Sequence, residues 1–190
     1  VHSFPTRRSS DLRRNGRSRT ITNHIVLFEP VMPANTGNIA RTTAGTDAVL
    51  HLIEPLGFEL DDKHVKRAGL DYWEHVQLVK HDSLPDFLDT LRETDHLYLV
   101  SKFANYDYTQ PDYSVTDGDH YFLFGKETTG LPEVFMRQNP DKAIRIPQDD
   151  THIRSLNLSN TVAIVLYEAL RQQSFPNLET THTYEQDKLK

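Results

Sequence analysis

From Asn23 onward the chain alternates two hydrophobic rhythms. Short apolar runs with β-branched or aromatic content occupy His24 to Phe28, Val49 to Ile53, Val76 to Val79, Leu97 to Val100, Tyr121 to Phe124 and Ala143 to Ile146, and each predicts a strand. Helix-like spacing fills the gaps over Gly37 to Ala44, Asp61 to Ala68, Leu84 to Arg92, Pro132 to Arg137 and the long Asn157 to Gln173. Strand and helix taken in turn predict an α/β fold with a mainly parallel sheet and helices on both faces. In such sheets ligands sit where loops leave the carboxyl ends of the strands. The loops are therefore where chemistry is expected.

The two ends keep neither rhythm. "VHSFPTRRSSDLRRNGRSRT" is rich in Arg and Ser and has no apolar period, so residues 1–22 read as a disordered extension. Within it "SFPTRRSSDL" looks like translated adapter or vector sequence, which sets the extension outside the fold; a basic RNA-binding arm is the functional alternative. Residues 23–173 are expected to form one domain, since 190 residues suffice for one sizeable core. Residues 174–190 read as a polar tail.

Charge and composition narrow the function. The net charge is −6. Setting aside the six Arg and one Asp of residues 1–20 leaves 15 of 21 basic and 26 of 27 acidic residues, a charge of −11 for the body. Such a body is no blanket binder of polyanions, and any RNA contact has to be local. Lys63, Lys66, Arg67, Arg145 and Arg154 are candidates for it, each read otherwise as a solvated surface charge. The absence of cysteine excludes disulfides and thiolate metal sites and is compatible with a reducing cytosol. The longest apolar stretch, Thr161 to Leu170, holds Glu168 and is too short to span a membrane. The ten histidines form no H-E-x-x-H pattern, so no metal site is expected.

Three loops stand out. "EPVMPANTGNIAR", Glu29 to Arg41, follows the first strand. Its prolines are expected to delay the helix, with Asn35 or Thr36 as the cap. Arg41 then lies about one turn in, where its guanidinium could meet a phosphate or a developing oxyanion, or simply stand exposed. "FGKETTGLP", Phe124 to Pro132, has Leu131 and Pro132 where a P-loop needs Lys and Ser or Thr, which argues against an NTPase. Glu127 there is either catalytic or a loop carboxylate holding backbone N–H groups. In "IRSLNLSNTVAIVLYEAL", from Ile153, five polar side chains crowd the start of the most apolar helix. Ser155 and Asn157 can cap it, and Asn160 can reach backbone in a neighbouring loop; the surplus suggests a site.

In order, "NTGNIAR", "LIEPLGF", "KRAGLDYWE", "FGKETTGLP", "IRIP" and "RSLNLSNTVAIVLYEALRQ" resemble the SPOUT superfamily of S-adenosylmethionine-dependent RNA methyltransferases. The likeness is greatest to the small single-domain enzymes that methylate the ribose 2′-oxygen of the tRNA wobble nucleotide, a cytidine or modified uridine. It spans Asn23 to about Gln173. The resemblance implies a C-terminal trefoil knot, a homodimer with its active site completed across the interface, tRNA as substrate and a cytoplasmic location. By position it implies that Val100, Gly125, Ile146 and Ser155 hold S-adenosylmethionine, mostly through backbone. Glu127, Asn157 and Asn160 would join that pocket, and Arg41, Asn35 and Arg154 would form the catalytic set, Arg41 beside the reacting ribose. Two stretches depart from the family pattern: "SKFAN", Ser101 to Asn105, replaces a Thr-Thr-Lys-Gly-like segment, and "QDDTHI" is an extra polar run before Arg154. The alternatives are methylation of another tRNA or ribosomal RNA nucleotide, and a non-catalytic RNA-binding protein of the same fold.

Overall fold

The computed structural model describes residues 20–60 and 72–186. Seven parallel strands form one sheet in the order β3-β2-β1-β6-β4-β7-β5. They are β1 (Asn23–Phe28), β2 (Val49–Ile53), β3 (Gln77–His81), β4 (His96–Val100), β5 (Tyr106–Asp107), β6 (His120–Phe124) and β7 (Ala143–Arg145). The helices are α1 (Pro33–Ala44), α2 (Leu84–Leu88), α3 (Glu133–Gln138) and α4 (Leu158–Gln172). The expected helix over 61–68, the cations Lys63, Lys66 and Arg67, and the extension up to residue 19 lie outside the described residues.

Both faces of the sheet are covered, which is why the central strands read as unbroken apolar runs rather than as alternating ones. Side chains of period two sort onto opposite sides. Ile25, Leu27, Phe122 and Phe124 pack under α1 and α4, with Ile39, Ala40, Val162, Val165, Leu166 and Ala169. Val26, Leu123 and Tyr121 face the other way, against Phe87 of α2 and the partly buried Phe135 and Met136 of α3. Past Gln173, Phe175 and Leu178 still pack on the first of these clusters.

Four elements depart from expectation by more than one residue. The first helix begins at Pro33, four residues before the expected Gly37, with Met32 as an N-cap that makes no side-chain cap bond. Proline is well suited to the first helical turn, where its missing N–H is not needed. Asn35 and Thr36 are consequently inside the helix and buried, not caps. α2 stops at Leu88 rather than Arg92, because Asp95 folds back to accept from the Arg92 backbone N–H at 2.9 Å. β3 is shifted one to two residues toward His81. β5 was not expected, since two residues pairing at an edge carry no period.

Candidate active site

The carboxyl ends of β6, β4 and β7 lie side by side. Val100 ends β4, pairing with Phe124 on one side and Ile144 on the other. Gly125 and Ile146 leave the two neighbouring strands just beyond those partners, so three of the seven residues expected at the cofactor form one rim. Gly125 is required there by close packing: a Cβ would come within 2.4 Å of the Gly130 carbonyl carbon. The loop closes on itself through Gly130 N–H to Lys126 O at 2.8 Å and Lys126 N–H to Gly130 O at 3.2 Å. Gly130 has φ +74, a conformation that favours glycine.

That closed turn aims Glu127 at the start of α1. Its carboxylate accepts from the Val31 N–H at 2.9 Å, the Met32 N–H at 3.2 Å and Asn35 Nδ2 at 3.3 Å. Glu127 thus does what no side chain of the helix itself does, holding backbone donors and placing a carboxylate at the positive end of α1. Asn35, 5% exposed, continues the chain by accepting from Asn157 Nδ2 at 3.1 Å through its own Oδ1. Asn157 Oδ1 in turn caps α4, accepting from the Ser159 N–H at 2.9 Å and the Asn160 N–H at 3.3 Å. One hydrogen-bonded line therefore joins the loop after β1, the loop after β6 and the start of α4. Beside it Lys126 pairs with Glu29 at 2.6 Å.

Other expected residues stand apart from this line. Arg41 is exposed on α1, its guanidinium 5.6 Å from the centre of the Tyr72 ring, while the Tyr72 hydroxyl donates to Gly37 O at 3.1 Å. Ser155 is exposed and is not the cap of α4, a role that falls to Asn157 alone. The side chain of Asn160 makes no bond to a neighbouring loop among the described residues; only its N–H is engaged. Arg154 is exposed at the edge of a cleft, its carbonyl accepting from Lys102 Nζ at 2.9 Å. Lys102, Phe103 and Tyr72, which lie against Arg154 or Arg41, were not among the expected site residues; their segments were read only as a family-like motif or as a departure from one. Among the described residues no group of three or more His, Asp or Glu is placed to hold a metal, and no helix is long and apolar enough to cross a membrane.

A model of the SpoU rRNA Methylase family matches residues 22–167. A Lactobacillus gasseri protein described as a candidate RNA (cytidine(34)-2'-O)-methyltransferase is 62% identical over 170 residues, covering 90% of this chain and 91% of its own. The crystal structure of a candidate RNA methyltransferase from Bacillus anthracis superposes with a TM-score of 0.79 at 50% identity, covering 83% of this chain and 98% of that one. A structure concerned with 2-OH methylation of C/U34 on tRNA gives a TM-score of 0.72 at 42% identity, covering 81% and 97%. An AdoMet-bound rRNA methyltransferase from Sinorhizobium meliloti gives 0.68 at 25% identity, covering 79% of this chain and 56% of its own. On the extent of these matches, the chain belongs to the SpoU methylase family.

Proposed function

We propose that the protein transfers a methyl group from S-adenosylmethionine to the ribose 2′-oxygen of the tRNA wobble nucleotide, cytidine or modified uridine, working as a cytoplasmic homodimer. The observation that carries this reading is the line Glu127–Asn35–Asn157, which draws polar residues from three separated motifs to the mouth of the strand ends. The activities named for its relatives supply the nucleotide.

The rim fits the cofactor chemically. Ile146 offers apolar surface and Gly125 a bare backbone beside the nearly buried Val100, and Ser155, in the segment that follows, would bring a hydroxyl, a combination suited to a flat adenine ring and its hydrogen-bonding edge. S-adenosylmethionine supplies an activated methyl on a sulfonium. The protein's own tasks are then alignment and charge stabilisation, because a ribose hydroxyl is a weak nucleophile at neutral pH. Glu127, Asn35 and Asn157 hold the three loops in register. Arg41 stabilises the alkoxide emerging at the 2′-oxygen; a guanidinium does not serve as base. Arg154 meets the RNA beside it.

Three features support the homodimer and the knot. Ile164 and Tyr167 lie one turn apart on α4 and are 38% and 50% exposed, an apolar stripe that a second copy would cover. Arg41 has no bond to the line in its own protomer, as expected where the partner completes the site. β7 lies between β4 and β5, so the chain leaving β7 passes the loop that joins those two strands, which favours threading.

The test is transfer of label from radiolabelled S-adenosylmethionine to total tRNA, followed by mapping of the modified nucleotide. Label on the wobble ribose supports the reading. Label elsewhere in tRNA or in ribosomal RNA reassigns the substrate, and no label in either RNA defeats the reading.

A further inference from the structure

The two stretches that depart from the family pattern meet in space. Residues 102–105, Arg145 and residues 150–154 together line a cleft of about 570 Å³ that is open to solvent. Phe103 projects into solvent at this cleft, 81% exposed, with Lys102 Nζ 5.2 Å from its ring centre. An exposed phenylalanine loses the benefit of burial unless something covers it. Ile153, which also lines the cleft, is 43% exposed.

The charges here are unlike those of the rest of the body. Asp150 is already matched, by Arg145 at 3.0 Å and Gln148 at 2.8 Å, and that contact holds its carboxyl below the usual carboxylate range. Lys102 is held over the cleft by its bond to Arg154 O. The Arg154 guanidinium has no side-chain partner among the described residues. In a body of net −11, an unneutralised Lys–Arg pair beside an exposed aromatic ring is a local site for a polyanion that also carries flat rings.

We propose that this cleft holds an unpaired nucleotide flanking the one that is methylated, its base stacked on Phe103 and its phosphate set against Lys102 and Arg154. Sequence-tolerant stacking on aromatic side chains beside cations is how single-stranded RNA is commonly gripped. The position suits it, since the cleft begins two residues after Val100 and ends at Arg154, beside the rim of the cofactor site. The cleft would therefore set which loop nucleotides may flank the target. This inference rests on the RNA substrate proposed above.

The experiment uses the full chain with an anticodon stem-loop carrying fluorescent 2-aminopurine on either side of the target nucleotide. In the wild type, binding quenches one of the two labels. Phe103→Ala is expected to lose that quenching and to raise KM for tRNA by about fivefold or more, the low end for loss of a base–aromatic stack, with kcat and the KM for S-adenosylmethionine unchanged. Phe103→Trp restores both readouts and Phe103→Leu does not. Wild-type RNA affinity in the Ala or Leu variant overturns the proposal, as does a raised KM for S-adenosylmethionine alone, which would give the cleft to the cofactor. A shift of Phe103→Ala to monomer in sedimentation likewise overturns it, giving the cleft to the subunit contact. Quenching is read without turnover: stacking with no methyl transfer anywhere would defeat the catalytic reading and leave this one standing, and transfer without stacking would do the reverse.

Discussion

Glu127, Asn35 and Asn157 join three loops at the carboxyl ends of the strands, whereas on the far wing His24, His51 and His81 step across β1, β2 and β3 beneath α2. In the second chain His24 Nδ1 lies 2.8 Å from His51 Nε2, and His51 Nδ1 lies 2.9 Å from His81 Nε2. Tyr121 stacks on His24 at 4.0 Å between ring centres, and Phe87 packs edge-on to His51 and His81. The first line ends on a carboxylate that gathers backbone donors. The second consists of imidazoles, and His51 at its centre, which must donate through one ring nitrogen and accept through the other, has to be neutral. A carboxylate facing N–H groups organises a site, whereas a row of neutral rings fills a core, and the two should fail under different insults.

The largest expected effect separates site from core altogether. Arg41→Ala should remove methyl transfer, a loss of at least ~10²–10³-fold if the guanidinium stabilises developing charge, while unfolding is unchanged because the side chain is exposed. Calorimetric titration with S-adenosylhomocysteine should still show binding. Equal turnover in the variant would remove Arg41 from the chemistry. Glu127→Gln comes next, since an amide turns a donor toward N–H groups that now have an acceptor. Displacing the α1 start should cost up to ~10²-fold in kcat and about 1–3 kcal/mol in urea unfolding. Wild-type kinetics in this variant would show that the line does not govern the site.

Acid should break the histidine chain first. Burial lowers His24 to about 4, opposed by Asp119 and Asp95. Burial, with His24 and His81 adding, lowers His51 to about 3. Their folded values lie below the ordinary 6.5, so the unfolded state binds more protons in between, and stability rises with pH across that window. The contribution is complete above about pH 6.5 and falls away toward pH 4. Unfolding midpoints at pH 7.5 and 5 should therefore differ more in the wild type than in His51→Gln, which retains hydrogen-bonding atoms but does not titrate. Equal pH slopes would show that the chain is not the acid-sensitive element.

How far the sequence revealed these two regions follows from the range of the interactions involved. The central strands and the sheet's two covered faces were visible because burial on both sides writes continuous apolar runs, as in Tyr121 to Phe124. The start of α1 was not, since the backbone donors that lead into it, Val31 and Met32, are held by Glu127, 95 residues beyond Met32 in the chain. Local rules assign such donors to a nearby Asn or Thr. The motif polar residues were recognisable by resemblance, but only folding shows that Glu127, Asn35 and Asn157 form a line while Arg41 and Ser155 do not touch it. The histidine chain left no motif at all. Its members are 27 and 30 residues apart, and strand pairing brings them together.

Asn157 belongs to site and scaffold at once, and two substitutions can split its roles. Its Oδ1 caps α4 and its Nδ2 donates to Asn35. Asn157→Ala removes both, and loss of an N-cap should lower stability by ~1 kcal/mol. Asn157→Asp keeps the capping oxygen, and a carboxylate suits a helix N-terminus, so stability should match or slightly exceed the wild type. But Asp has no donor for Asn35 Oδ1, and two acceptors would then face each other where a 3.1 Å bond now lies. If the line sets the site, Asn157→Asp should be as stable as the wild type and slower in methyl transfer. If the asparagine only caps a helix, Asp should be fully active and Ala only less stable. Chemical denaturation and kcat measured on the same two proteins decide between them.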